Sequence, residues 1–160
     1  MRGFLVVAVL MAAALGAALA GPACGGSSQD AGPTLQPGFA RVRIGALQVQ
    51  AEVPEGEQFY RGMGGRDSLP DDRGMLFVFS VAGRHAIWMR DMLLPIDIIW
   101  MSADGRVVDI QTAAPEPGVP DEQLKRYIPR DPAWYILEVR AGLAAEKGVR
   151  VGDKAEVQLR

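Results

Sequence analysis

Asp97 is the residue whose type and position raise the clearest chemical question, because it lies within the run Ile96 to Met101. In a strand, successive side chains point to opposite faces, and here both faces are apolar. A carboxylate among hydrophobic neighbours is costly unless it accepts hydrogen bonds or faces a positive charge. We therefore expect Asp97 to accept backbone N–H groups or to pair with Arg90 or Arg66. Asp97 is either a catalytic or ligand-binding carboxylate or part of a network that fixes the neighbouring loop, and we favour the structural role.

Trp88, Arg90 and Asp91 form a second group of interest. If this segment is a strand, Trp88 and Arg90 share one face. An indole offers stacking area and a guanidinium offers a bidentate fork, which together suit a small anionic or carbohydrate ligand. Arg90 and Asp91 also precede Pro95 in a loop, where binding residues often gather. The alternative is a core Trp beside an Arg whose charged head reaches water. The candidate ligand-binding residues are thus Trp88, Arg90, Asp91 and Asp97.

His85, Met89 and Met92 suggest a metal, since one imidazole and two thioethers are donors that select Cu(I). If the segment is a strand, His85 and Met89 share a face, and Met92 lies beyond its end. Methionine is more commonly a core filler than a ligand. We therefore expect no cofactor and keep copper as an alternative.

Enzyme templates find little support in this chain. It has one histidine, one cysteine, no Gly-x-Ser-x-Gly elbow and no glycine-rich phosphate loop. Asp91 and Asp97 could form the carboxylate pair of a small hydrolase acting on glycosides. A small domain with short loops leaves little room for a polysaccharide cleft, so we do not expect an enzyme.

Short alternating runs predict that strands position these residues. Gly45-Ala46 separates two such runs and predicts a hairpin, and Asp104-Gly105 predicts another. A short helix is expected from Pro54 to the glycines at 62–65, and a second over residues 141–147, capped by Gly148. The predicted strands cover residues 40–44, 47–51, 75–79, 86–89, 96–101, 106–110, 134–139 and 155–159. The fold class is mainly β (α+β): a small barrel-like or sandwich domain of antiparallel strands with two short helices.

Composition limits the class of protein further. The chain has 160 residues, 49% of them hydrophobic and 22% charged, which suits one globular domain. Its net charge is -2, whereas nucleic-acid-binding proteins usually carry an excess of basic residues. We therefore expect no nucleic-acid partner.

The first 20 residues read as a signal peptide, because Arg2 precedes an uncharged apolar run from Phe4 to Ala20. Cys24 is the single cysteine and precedes a Gly/Ser-rich stretch, which resembles a bacterial lipobox. Acylation there would attach the protein to a membrane through lipid alone. Ala18-Leu19-Ala20 alternatively fits cleavage to a soluble periplasmic or secreted form. Residues 21–38 are expected to be a flexible linker, and residues 39–160 a single β-rich domain.

An ordered set of motifs resembles the prokaryotic family called domain of unknown function 192. The resemblance runs from about Ala40 to Leu159. Its most specific part is a Trp-Met pair followed by a Pro-x-Asp strand. The family usually has Lys-Asn-Thr where this chain has Arg90-Asp91-Met92. The resemblance implies a small β-rich fold, often exported or lipid-anchored, and no established activity. The motifs lie at residues 74–79, 87–91, 94–100, 135–139, 141–142 and 152–153.

These observations predict an exported binding or accessory module at the bacterial envelope. Its partner would be a small anionic or carbohydrate ligand, or another envelope protein. A periplasmic copper-binding protein is the first alternative, and a small hydrolase using Asp91 and Asp97 is the second. The sequence does not determine the oligomeric state.

Overall fold

A computed structural model describes residues 38–159. The expected signal peptide, the Cys24 anchor and nearly all of the expected linker lie outside these residues. Seven strands dominate the described part, with two short α-helices and one turn of 3-10 helix. In chain order the elements are β1 (Phe39–Ile44), β2 (Leu47–Glu52), α1 (Glu57–Arg61), β3 (Arg73–Gly83), β4 (Ile96–Met101), β5 (Val107–Ala113), the 3-10 turn (Asp121–Gln123), β6 (Ala133–Arg140), α2 (Leu143–Glu146) and β7 (Ala155–Leu159).

Both predicted hairpins are present in the sheet. β1 and β2 pair antiparallel around Gly45, whose φ of 55° is a left-handed conformation that glycine adopts without strain. β4 and β5 pair antiparallel around the Asp104-Gly105 turn, where Gly105 has a φ of 81°. A Cβ at Gly105 would lie 2.6 Å from the carbonyl oxygen of Ala155, so this position also requires glycine for space.

One mixed sheet contains all seven strands, in the order β5-β4-β6-β3-β2-β1-β7. The mainly β fold class with two short helices is confirmed, and the sheet departs from the expected antiparallel arrangement at one pair, because β2 and β3 run parallel. The chain passes from β2 to β3 through α1 and the turn at residues 62–65 instead of a tight hairpin. This longer connection allows the parallel arrangement. The sheet is also not a closed barrel. Its two edge strands, β5 and β7, approach each other at one corner, where Arg106 and Lys154 form an isolated antiparallel β-bridge.

The central strands β3, β4 and β6 are buried on both faces, and each face contributes to a separate core. One core lies against β1, β2 and α2 and includes Leu137 and Val139. The other includes Met75, Phe77 and Ile136, and the residues of α1 and the β3–β4 connection pack against it. We call the first the packed face and the second the cavity face. Alternation along β6 places Glu138 on the cavity face and Val139 on the packed face.

The predicted strand over residues 86–89 was wrong. This segment is irregular and forms a single bridge, between Ile87 and Tyr127. Its apolar side chains contribute to the covering of the cavity face, where Met89 is 2% exposed. Residues 86–89 are apolar because they help to cover this face. They are not a strand, because no strand in residues 38–159 pairs with them through a continuous ladder of hydrogen bonds. Among residues 38–159, no helix has the length and apolar character needed to cross a bilayer.

Candidate functional site

A cavity of about 220 Å³ opens on the cavity face of the sheet. Aromatic side chains from α1, β3 and the β3–β4 connection form much of its wall. Phe59 meets Phe77 and Phe79 edge to face, with ring centroids 5.3 Å and 5.6 Å apart. These contacts hold the rings in a fixed arrangement, because edge-to-face pairs have a preferred geometry. The lining residues are Phe59, Tyr60, Arg61, Gly62, Met63, Phe77, Phe79, His85, Ala86, Ile87, Trp88, Arg90, Met92, Ile96 and Glu138.

Two turns pack closely at the edge of the cavity and fix the position of Arg90. Gly65 donates its backbone N–H to the carbonyl of Asp91 at 2.8 Å. A Cβ at Gly64 would lie 3.2 Å from the carbonyl oxygen of Arg90, so a larger residue would push the turns apart. Asp91 has a φ of 56° and is the non-glycine residue with positive φ among residues 38–159. This strained backbone accompanies the close approach of the two turns.

Glu138 places a carboxyl group on the inner wall of the cavity. The residue is 4% exposed and lies at the centre of the sheet, in register with Met75 on β3 and Ile98 on β4. No other residue in 38–159 forms a hydrogen bond with its side chain, and no buried side-chain oxygen in this range is both sealed and unpartnered. The carboxyl oxygens of Glu138 therefore face the cavity.

Burial raises the pKa of Glu138 to about 8, and the positive charge of Arg66 only partly opposes this. A carboxyl group in a poorly hydrated site favours its neutral form. Arg66 makes two hydrogen bonds of 2.6 Å to Glu52, so its charge is already largely compensated. The raised pKa favours the neutral acid form of Glu138, which can both donate and accept a hydrogen bond.

Asp97 lies on the packed face, away from the cavity lining, and is 2% exposed. Its carboxylate accepts a hydrogen bond from the Thr112 hydroxyl at 2.7 Å and another from the backbone N–H of Ala144 at 3.0 Å. The acceptance of a backbone N–H agrees with the expectation, and these contacts support a structural role.

The expected arginine partners of Asp97 were wrong: Arg66 pairs with Glu52. Arg90 donates to the Tyr60 carbonyl at 2.9 Å and approaches Asp121 at 3.9 Å.

Asp109 is the third buried acid among residues 38–159, and it is fully partnered. It is 3% exposed and accepts hydrogen bonds from Arg130, from Gln111 and from the backbone N–H of Ile110. Burial tends to raise the pKa of Asp109, but these hydrogen bonds together hold it below its usual value. Glu138 therefore differs from the other two buried acids, because no residue in 38–159 forms a hydrogen bond with its carboxyl group.

Of the candidate ligand-binding residues, Trp88 and Arg90 line the cavity together, although not on a strand. Trp88 is 38% exposed, and the Arg126 guanidinium lies 3.9 Å from its ring centroid. Asp91 is exposed and, like Asp97, is not part of the lining.

Arg61 also lines the cavity and is exposed, and its guanidinium has no ion pair or hydrogen bond within residues 38–159. The lining thus contains a cation that is free to meet an anionic group.

The three candidate copper ligands do not all reach the cavity. His85 and Met92 line it, but Met89 does not. The His85 ring stacks on Phe79 with centroids 3.7 Å apart, and its Nε2 donates to the Val81 carbonyl at 2.9 Å. In the neutral ring, Nδ1 is then left as an acceptor. No cluster of three His, Cys, Asp or Glu side chains in residues 38–159 could hold a metal ion. Copper binding through thioethers stays a prediction.

Glu138 was missed as a site residue by sequence reasoning. It belongs to the strand motif at residues 135–139, where it reads as an ordinary polar position. The signal was the same one that singled out Asp97: an acid within a strand whose neighbours on both faces are apolar. Arg61 was also missed, since nothing in the sequence distinguishes it from other surface arginines.

Comparisons with known proteins agree with this fold. The model of the family DUF192, described as an uncharacterized ACR, matches residues 40–157. A UPF0127 protein of Thermococcus gammatolerans is 32% identical over 84 residues, which cover 51% of this chain and 50% of the relative. A UPF0127 protein of Pyrococcus furiosus is 32% identical over 87 residues, covering 51% and 66% of the two chains. The chain thus spans about half the length of the first relative.

Two crystal structures resemble the chain over most of its length. One is a Sinorhizobium meliloti protein with the provisional name of transcription regulator. It is 27% identical, with a TM-score of 0.65, and the match covers 78% of this chain and 97% of the other. The second is a protein of unknown function from Novosphingobium aromaticivorans, 27% identical with a TM-score of 0.60. That match covers 74% of this chain and 83% of the other.

Proposed function

The chain belongs to the DUF192 family, whose function is uncharacterised, and we propose that it is an exported module that binds a small ligand in the cavity. The observation that carries the proposal is an aromatic cavity with an unpartnered buried carboxyl group on its inner wall. Small-molecule sites are typically concave and mostly apolar, with a few polar groups that fix orientation. Buried polar groups normally have partners, and a ligand that occupies the cavity would supply one to the carboxyl group of Glu138.

The size of the cavity limits the ligand. A cavity of about 150 Å³ holds one benzene ring. The 220 Å³ available here therefore suits one six-membered ring with short substituents. Phe59, Phe77 and Phe79 provide apolar edges and faces for such a ring.

Charge in the lining favours an anionic substituent on that ring. Arg61 is free, and Arg90 lines the same cavity while its guanidinium stays half-buried. A guanidinium matches a carboxylate or phosphate through two parallel hydrogen bonds. The ligand class is thus a small ring carrying an acid group, either an aromatic acid or a sugar acid.

Calorimetric titration of the purified full chain tests this proposal with benzoate, glucuronate and the neutral benzyl alcohol. We expect one of the two acids to bind about tenfold more tightly than benzyl alcohol, because a charge-assisted hydrogen bond is lost in the alcohol. Arg61→Gln should reduce that affinity about tenfold, since it removes the free guanidinium. Arg150→Gln is the matched control, because Arg150 is exposed and lies outside the cavity lining. Absence of binding by all three probes, or equal effects of both variants, contradicts the proposal.

Attachment to the envelope is tested separately at Cys24, which lies outside the described residues. Labelled palmitate should enter the wild-type protein in bacteria and should be absent from Cys24→Ala. A released wild-type product that begins at Gly21 would contradict lipid anchoring. It would leave an exported soluble binding module.

Copper is the second candidate, because the soft donors of His85, Met63 and Met92 line one cavity. Competition with a Cu(I) chelator measures this binding directly. Met92→Leu preserves volume and should weaken Cu(I) binding at least tenfold if the thioether is a ligand. An unchanged Cu(I) affinity in this variant would contradict the copper site.

A further inference from the structure

The buried carboxyl group of Glu138 carries an inference about which ligands the cavity selects. It rests on the proposed binding function and makes that function more specific. The cavity presents two groups that lack partners, the exposed Arg61 guanidinium and the 4% exposed Glu138. A ligand that satisfies both must carry two polar groups on its ring.

The groups around Glu138 determine the form in which it meets a ligand. From β3 and β4, its partners in register are the apolar Met75 and Ile98. Arg66 acts on Glu138 through its charge, but it is hydrogen-bonded to Glu52. The remaining charged or titratable side chains of the lining come from α1 and the β3–β4 connection: Tyr60, Arg61, His85 and Arg90.

We propose that Glu138 recognises the ligand as a neutral carboxylic acid, through a hydrogen bond to an uncharged hydroxyl or carbonyl group opposite the ligand's anionic group. A neutral acid can donate to either group and can also accept from a hydroxyl. A ligand ammonium is disfavoured because it would approach Arg61 and Arg90 in the same cavity. The raised pKa of Glu138, about 8, agrees with a neutral acid at physiological pH.

This mode of recognition makes ligand binding depend on the protonation of Glu138. Above the pKa of Glu138 the carboxyl group is ionised and can no longer donate, and its charge repels the acid group of the ligand. Affinity for such a ligand should therefore fall as the pH rises above about 8. Glu138→Gln keeps a neutral donor and acceptor of similar shape but does not titrate.

Three probes of equal size separate the possible roles of Glu138. They are 4-(hydroxymethyl)benzoate, 4-ethylbenzoate and 4-(aminomethyl)benzoate, which differ in the group opposite the carboxylate. Calorimetry on the full chain near neutral pH should show the hydroxymethyl probe binding about tenfold more tightly than the ethyl probe. Glu138→Gln should keep this preference, and Glu138→Leu should lose it while still binding 4-ethylbenzoate. Circular dichroism of both variants verifies that they fold.

The pH dependence completes the test. Between pH of about 7 and about 9.5, the affinity of wild type for the hydroxymethyl probe should fall about tenfold. The affinity of Glu138→Gln should stay constant over that range. Tightest binding of the aminomethyl probe, lost in Glu138→Gln, would overturn the inference by making Glu138 an ionised cation receptor.

Failure of this inference is distinguishable from failure of the proposed function. Equal binding of the hydroxymethyl and ethyl probes, still dependent on Arg61, would contradict the role of Glu138 and leave the anion-binding cavity intact. If none of the probes binds, and benzoate and glucuronate also fail, both proposals are contradicted.

Discussion

The two faces of the central sheet treat a buried acid in opposite ways. On the packed face, Asp97 is 2% exposed and accepts hydrogen bonds from Thr112 and from the backbone of Ala144. On the cavity face, Glu138 is almost equally buried but has no hydrogen-bonding partner within residues 38–159. A satisfied buried acid is consistent with a structural role, whereas an unsatisfied one facing a cavity is available to a ligand. Burial alone therefore does not distinguish a structural acid from a ligand-binding one, but the hydrogen bonds of each acid do.

The largest expected difference concerns the pH dependence of stability in Glu138→Gln. Because the folded-state pKa of Glu138 is raised to about 8 from 4.5, wild type loses stability as the pH rises from 4.5 to about 8. The variant lacks this loss and should be more stable than wild type at pH of about 9, by at most about 5 kcal/mol. Urea unfolding at several pH values measures the difference. A variant less stable than wild type at high pH would mean that Glu138 has an unseen structural partner.

Asp97→Ala should show the reverse effect, a loss of about 3 kcal/mol in the free energy of unfolding. The substitution leaves the Ala144 N–H without an acceptor and removes the Thr112 contact. Asp131→Ala is a suitable control, because Asp131 is exposed and should change stability by less than about 0.5 kcal/mol. A loss under about 1 kcal/mol for Asp97→Ala would remove the contrast between the two acids.

Asp97→Asn should cost less, about 1 kcal/mol. The amide oxygen can still accept from Ala144, and the amide nitrogen can donate to the Thr112 oxygen. No arginine is paired with Asp97, so the cost of about 3–5 kcal/mol for breaking a buried ion pair does not apply. A loss of that size in urea unfolding would instead reveal an ionic partner of Asp97.

The smallest effect is expected at Asp91, beside the cavity face. Its φ of 56° is strained for a residue with a Cβ. Asp91→Gly relieves this strain but increases the freedom of the unfolded chain, so we expect a net gain of about 0.5 kcal/mol. Thermal unfolding together with probe binding measures both consequences. Loss of ligand affinity in this variant would make Asp91 part of the site, contrary to its position outside the lining.

Local signals in the sequence predicted much of the fold. The turns at Gly45 and Gly105 fix two hairpins, because positive φ and close approach favour glycine there. The parallel pairing of β2 and β3 depends on packing between distant segments, and no local signal specifies it. Residues 86–89 were misread because a buried loop and a buried strand can have the same apolar composition.

The site was only partly predictable for a similar reason. Trp88 and Arg90 were predicted and do line the cavity, although an irregular segment and not a strand places them there. Asp97 was recognised as a buried acid from its neighbours, and Glu138 has the same kind of neighbours. What separates these two acids is the presence of a cavity on one face of the sheet, which depends on tertiary packing.

A titration of the Glu138 carboxyl group by NMR tests the central claim most directly. Carbon-13 labelling of glutamate side chains, with Glu138→Gln to assign the signal, follows this group through the pH range. We expect a midpoint of about 8 in the free protein, because burial without a hydrogen-bonding partner favours the neutral acid. A midpoint below about 5 would show that Glu138 is ionised and partnered like Asp109. That result would contradict a neutral recognition group in the cavity.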